Sequence, residues 1–200
     1  MAADELFTLL NRDRNFWGAG GGVTFSGGEP FMQHRFLNCL LQRCQTATIH
    51  TAIETCGHVA SAILQASLPL IDWLFFDIKH LDSARHHRAT GVDNELIQSN
   101  LKTIAAAAWQ GRLMVRLTVI PGFNDGADHV RRLGDHLHGL GITEMQLLPL
   151  HRLGFSKYAQ LGLPVQMPDI TAPTGEDMAK HRSVLQQTGL TVYLENDAPF

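Results

Sequence analysis

Cysteine is scarce in this 200-residue chain: three residues, at 39, 44 and 56. A disulfide-dense secreted scaffold needs several pairs, so that class is excluded. No apolar run approaches the roughly 18–20 residues of a transmembrane helix. The first residues, MAADELFTLL, are acidic and lack the basic start of a signal peptide. Charge is also sparse, at 18% of residues, with 16 Lys and Arg against 19 Asp and Glu. The net charge of −3 argues against a nucleic-acid partner held by a broad basic field. No low-complexity segment, charge run or Ser/Gly-rich linker divides the chain. These absences leave a soluble, cytoplasmic protein of one domain, residues 1–200, with 44% hydrophobic residues to build a core.

What is present is strand then helix, repeated. Val23–Phe25, Thr48–Ile53, Ile71–Ile78, Leu113–Ile120 and Glu144–Leu148 read as strands, with Leu190–Leu194 as a terminal sixth. Helical spacing predicts helices over Ala3–Leu10, Phe31–Gln45, Val59–Ala66, Asn94–Ala108, Asp128–Leu140 and Met178–Thr188. The segment IDWLFFDI is apolar on both faces, as in a parallel sheet covered on both sides. Alternating β and α elements favour a parallel α/β sheet or barrel. Six strands fall short of the eight of a complete barrel. The pattern therefore fits a partial barrel, an open sheet, or the remainder of something longer.

Parallel α/β folds bind ligands at the carboxyl ends of their strands. Here those ends carry Ser26-Gly27-Gly28-Glu29-Pro30, Glu54-Thr55-Cys56-Gly57, Asp77-Ile78-Lys79-His80, Pro121-Gly122-Phe123-Asn124-Asp125 and Pro149-Leu150-His151. Two glycines at a strand end let backbone approach a ligand, and Glu29 can accept from an ammonium group. Glu29 in the first turn of a helix, favoured by its dipole, is an equally good reading. Asp77 and Lys79 share a strand face, so they can meet a zwitterion or simply form an internal ion pair. Thr55 is placed to cap the following turn. Arg116 is a barrel-interior cation or a salt-bridge partner, and His151 alone is an ordinary histidine. His86, His87, His136 and His138 fall on expected surfaces and receive no role. Cys39 and Cys44 lie five apart on one helix and Cys56 in a loop, which is not the close spacing of an iron–sulfur site.

Taken together, GGGVTFSGGEP, IHTAIETCGH, WLFFDIKHLD, VRLTVIPGFND and LLPLHRLGFSKY resemble the glycyl-radical enzyme activating enzymes of the radical S-adenosylmethionine superfamily, typified by pyruvate formate-lyase activase. The resemblance implies a partial (β/α)6 barrel binding S-adenosylmethionine and a four-iron four-sulfur cluster. The cluster would cleave the cofactor to a 5′-deoxyadenosyl radical, which takes a hydrogen from a glycine of a partner enzyme. It implies an electron donor such as flavodoxin or ferredoxin. By motif, Gly27, Gly28 and Glu29 would hold the methionine amino group, with Glu54 nearby. Asp77 and Lys79 would sit at the amino-carboxylate, His151 near the nucleoside, and Arg116 inside the barrel. This sequence departs from the family in lacking its CxxxCxxC cluster loop. The expectation is therefore a C-terminal portion without the first barrel strand, with no metal ligands of its own, inactive in the radical reaction by itself.

Two other functions remain compatible with the residues. One is an α/β-barrel lyase with Lys79 as a Schiff-base amine. The other is a non-catalytic cofactor-binding or interaction module.

Overall fold

Local sequence sets most of the elements of the computed structural model. It describes the chain apart from residues 19, 153–154, 165–168, 196 and 198–200, and apart from the side chains of residues 155, 157 and 159. Six strands, β1 (Gly22–Phe25), β2 (His50–Thr55), β3 (Trp73–Asp77), β4 (Arg112–Val119), β5 (Glu144–Pro149) and β6 (Thr191–Tyr193), hydrogen-bond in chain order. All six coincide with the strands expected from the sequence. Eight helices accompany them among the described residues: α1 (Ala3–Arg12), α2 (His34–Thr46), α3 (Ser61–Ser67), α4 (Ser83–Thr90), α5 (Glu95–Ala105), α6 (Ala127–Gly139), α7 (Phe155–Gln160) and α8 (Gly175–Gln186). No described helix is long and apolar enough to cross a membrane.

The chain divides into two compact units. The first comprises Met1–Ile78 and Asp82–Val115, the second Lys79–Leu81 and Arg116–Phe200.

In the first unit β1, β2 and β3 pair in parallel, with Thr24 opposite Ala52, and Glu54 opposite Phe75. Alternation sends Thr51, Ile53 and Thr55 of β2, and Leu74 and Phe76 of β3, to one dry face. Helix α2 supplies Leu37, Leu40, Leu41 and Cys44 at helical spacing to the core. Ala52, Glu54, Trp73 and Asp77 take the other face and are half-exposed. IDWLFFDI buries residues on both faces, Leu74 and Phe76 on one and Ile71 and Phe75 on the other, as its composition suggested. Helix α4 has no apolar stripe and is absent from the sequence expectation. Its ends are set instead by Asp82, which accepts from the Arg85 amide at 2.7 Å, and by Gly91 in the left-handed region. His86, expected on a surface, is buried there, with Nδ1 2.8 Å from the Val92 carbonyl.

In the second unit β5 and β6 pair in parallel, Glu144 opposite Thr191. The Tyr193 hydroxyl donates to Glu144 Oε1 at 2.9 Å. Val130, Leu133 and Leu137 of α6 and Met178 and Leu185 of α8 are buried. Helix α8 starts in a reciprocal cap: the Asp177 amide donates to Thr174 Oγ1, and the Thr174 amide to Asp177 Oδ2.

Candidate functional site

In the first unit the carboxyl ends of β1 and β2 form one connected polar cluster. The chain leaves β1 through Ser26, Gly27 and Gly28, all exposed. Gly27 has φ +125°, a conformation side chains rarely adopt, and a Cβ at Gly27 or Gly28 would meet nothing within 4 Å. Neither residue makes a backbone hydrogen bond with other described residues. The turn thus presents bare amide and carbonyl groups to open space.

Two carboxylates flank it. Ser26 Oγ donates to Glu54 Oε2 at 2.7 Å, which fixes Glu54 beside the turn. Glu29 is turned the other way. It caps the short helical turn Pro30–Gln33 by accepting from the Phe31 amide at 3.2 Å. It also accepts from Thr55 Oγ1 at 2.8 Å, the Cys56 amide at 3.0 Å and Cys56 Sγ at 3.1 Å. The Glu29 carboxylate therefore ties the glycine turn to the end of β2. Asp77, half-buried at the end of β3, lies on the same sheet face as Glu54.

A second layer holds this cluster. The Gly57 amide donates to Thr55 Oγ1 at 2.9 Å, the turn-capping role open to Thr55 from its position. Gly57 sits at φ +71°, and a Cβ there would lie 2.1 Å from the Phe76 ring. Asn100 of α5, fully buried, donates to the carbonyls of Gly57 and Val59, both at 2.8 Å, and accepts from Ser61 Oγ at 2.6 Å. Sequence reading passed over Asn100, and weighed Cys56 only as an iron–sulfur ligand. A single amide within the Ile97, Leu101, Ile104 stripe was the available signal.

The second unit carries Lys79, Arg116 and His151. Lys79 is half-buried, and its carbonyl accepts from Asn124 Nδ2 at 3.0 Å. Asn124, fully buried, also donates to the Thr118 carbonyl at 2.9 Å and accepts from the Ile120 amide at 2.7 Å. Arg116 is half-buried on the face of β4 opposite Leu117 and Val119, and His151 is exposed beyond β5. His80 and His129, both buried, stack at 4.0 Å beside Phe123. Leu153 and Gly154 of the LLPLHRLGFSKY segment lie outside the described residues.

Of the three cysteines, Cys56 belongs to the Glu29 cluster. Cys39 and Cys44 are on α2, and burial raises the Cys44 thiol above its ordinary value. Among the described residues no group of three or more His, Cys, Asp or Glu side chains is arranged to hold a metal. No grouping of the described residues fits an iron–sulfur cluster.

Comparison with known proteins agrees with this architecture. Residues 1–133 match the model of the Radical SAM superfamily. The 4-hydroxyphenylacetate decarboxylase activating enzyme of Clostridioides difficile (strain CD196) is 40% identical over 197 residues, covering 98% of this chain and 62% of that protein. The isethionate sulfite-lyase activating enzyme of Nitratidesulfovibrio vulgaris is 40% identical over 186 residues, covering 92% of this chain and 60% of its own. A crystal structure of a domain of pyruvate-formate lyase-activating enzyme from Bacteroides vulgatus superposes with a TM-score of 0.74 at 27% identity, over 88% of this chain and 100% of that one. The chain belongs to the Radical SAM superfamily, is similar to its glycyl-radical enzyme activating members, and has an α/β fold of six parallel, partial-barrel strands. It spans about three-fifths of the length of these curated relatives.

Proposed function

We propose that this chain is the S-adenosylmethionine-binding portion of an activating enzyme that installs a glycyl radical on a decarboxylase or lyase partner. When bound, the cofactor supplies the 5′-deoxyadenosyl group that abstracts hydrogen in this family. In the first unit, Gly27 and Gly28 offer backbone groups to the methionine moiety, and Glu54 and Asp77 accept from its ammonium. Glu29 acts one step back by holding the turn on β2. In the second unit we assign Lys79 to the carboxylate, Arg116 to the barrel interior and His151 to the nucleoside. The observation that carries the reading is the bare, exposed Gly27–Gly28 turn fixed beside Glu54 by Ser26. The 200 residues lack CxxxCxxC, so no cleavage step is assigned to them, and an electron donor such as flavodoxin or ferredoxin would act where the cluster is held.

Equilibrium dialysis with labelled S-adenosylmethionine tests the reading. The chain should bind saturably. Lys79→Ala and Glu54→Gln should each weaken binding by about 10- to 100-fold, the equivalent of one charge-assisted hydrogen bond. Unchanged affinity in a folded Glu54→Gln protein would remove Glu54 from the site, and absence of saturable binding would remove the function. Anaerobic reconstitution should leave the chain without stoichiometric iron and sulfide.

A further inference from the structure

The first unit has a second concavity at the opposite ends of its strands, remote from the glycine turn. It is a cleft of about 640 Å³, within the range of small-molecule sites. Gln65, Leu68, Pro69, Asp72, Thr103 and Trp109 line it. The AAAAWQG segment that builds one wall plays no part in the cofactor reading.

Two features make this cleft a constructed one. The Trp109 indole is seated by its Nε1–H, which donates to the Ile71 carbonyl at 3.0 Å. Gly111 leaves room for it, since a Cβ there would lie 2.0 Å from the indole. Asp72 is equally fixed: its Oδ2 accepts from the Thr51 amide at 2.8 Å and from Thr51 Oγ1 at 3.1 Å. Oδ1 makes no hydrogen bond with the described residues, and Asp72 is exposed. Among the described residues that line the cleft, Asp72 is the one ionisable group. Arg112, next along the chain, has its guanidinium over the Trp73 ring at 4.6 Å. A smaller hollow of about 290 Å³, which includes His50 and Thr51, adjoins it through Pro69 and Asp72.

A pre-positioned carboxylate and an indole on an otherwise uncharged, part-apolar lining are the elements that recognise organic cations. We propose that the cleft is a binding site for a small organic cation, an ammonium or amidinium group on a short apolar stem. The cation meets Asp72 Oδ1, and the stem lies against Trp109, Pro69 and Leu68. This site is independent of the cofactor assignment.

The test follows the indole N–H resonances of tryptophan-labelled protein, with Trp109 assigned through Trp109→Phe. Phenethylammonium and benzamidinium are titrated beside the neutral 2-phenylethanol and the anionic phenylacetate. The cations should shift the Trp109 signal saturably, and the alcohol should bind at least tenfold more weakly. Asp72→Asn, which keeps an acceptor for Thr51, should cost tenfold or more in cation affinity. Ala108→Trp fills the cleft from an exposed rim position, leaves Asp72 intact, and should abolish the response. Equal response to the alcohol, unchanged affinity in Asp72→Asn, unchanged binding in Ala108→Trp, or no saturable shift would each overturn the proposal.

Discussion

Replacing Glu29 by alanine removes the acceptor shared by two separate stretches of chain. In the parent, its carboxylate takes hydrogen bonds from Thr55 Oγ1 at 2.8 Å, the Cys56 amide at 3.0 Å, Cys56 Sγ at 3.1 Å and the Phe31 amide at 3.2 Å. Thr55 is 2% exposed, so water does not readily replace the lost partner. A hydrogen bond to a charged group contributes roughly 1.5–3 kcal/mol, and a buried donor left unsatisfied costs about 1–3 kcal/mol. The donors share one carboxylate, so their losses do not add in full. We expect Glu29→Ala to lower stability by about 3 kcal/mol. That corresponds to a fall in Tm of about 6–12 °C for a protein of this size. Glu29→Gln keeps one acceptor oxygen and should lose about half as much. Urea unfolding followed by circular dichroism measures both, with an unchanged m-value as the sign that only stability moved. A loss below about 0.5 kcal/mol in Glu29→Ala, a surface-like value, would refute the anchoring role.

Thr48 is β-branched yet sits at φ +54° after α2, so Thr48→Gly should relieve strain and raise stability by about 1 kcal/mol, seen as a higher Tm. Thr174→Ala should cost about 1 kcal/mol as a lost helix cap in urea unfolding. The side-chain and backbone hydrogen bonds of Thr174 hold the Asp177 carboxyl below the usual carboxylate range. A depressed carboxyl contributes stability above its unfolded value of about 3.9, and that share is lost as pH falls through the lower folded value. Stability measured between pH 5 and pH 2 should therefore fall less steeply in Asp177→Asn than in the parent. Burial raises the Cys44 thiol above its ordinary value and shields it from reagent, so native-state alkylation should modify the part-exposed Cys39 and Cys56 before Cys44, and denaturation should expose all three.

The elements of this protein are legible in its sequence because their signals are local. A strand such as WLFFD and a stripe such as Leu37, Leu40, Leu41 and Cys44 carry their periods within a few residues. The strand ends that bear Gly27, Glu54, Asp77, Lys79 and His151 follow from the same pattern, and their linked motifs from family resemblance. Helix α4 was not legible by period, because SARHHRAT has no apolar face; only its caps, Asp82 and Gly91, announce it.

What those residues do to one another was decided by tertiary structure. Glu29 and Thr55 are 26 residues apart, and only the register of β1 on β2 turns the Glu29 carboxylate onto Thr55 while Ser26 meets Glu54. Asn100 reaches back 43 residues to the Gly57 carbonyl because α5 packs its polar amide against the loop after β2. Trp109 and Asp72 become walls of one cleft through the Ile71 carbonyl and Thr51. A sequence specifies which groups are available locally, through propensity and period. Which donor finds which acceptor across tens of residues is set by strand register and helix packing, because a hydrogen bond demands placement to within a fraction of an ångström.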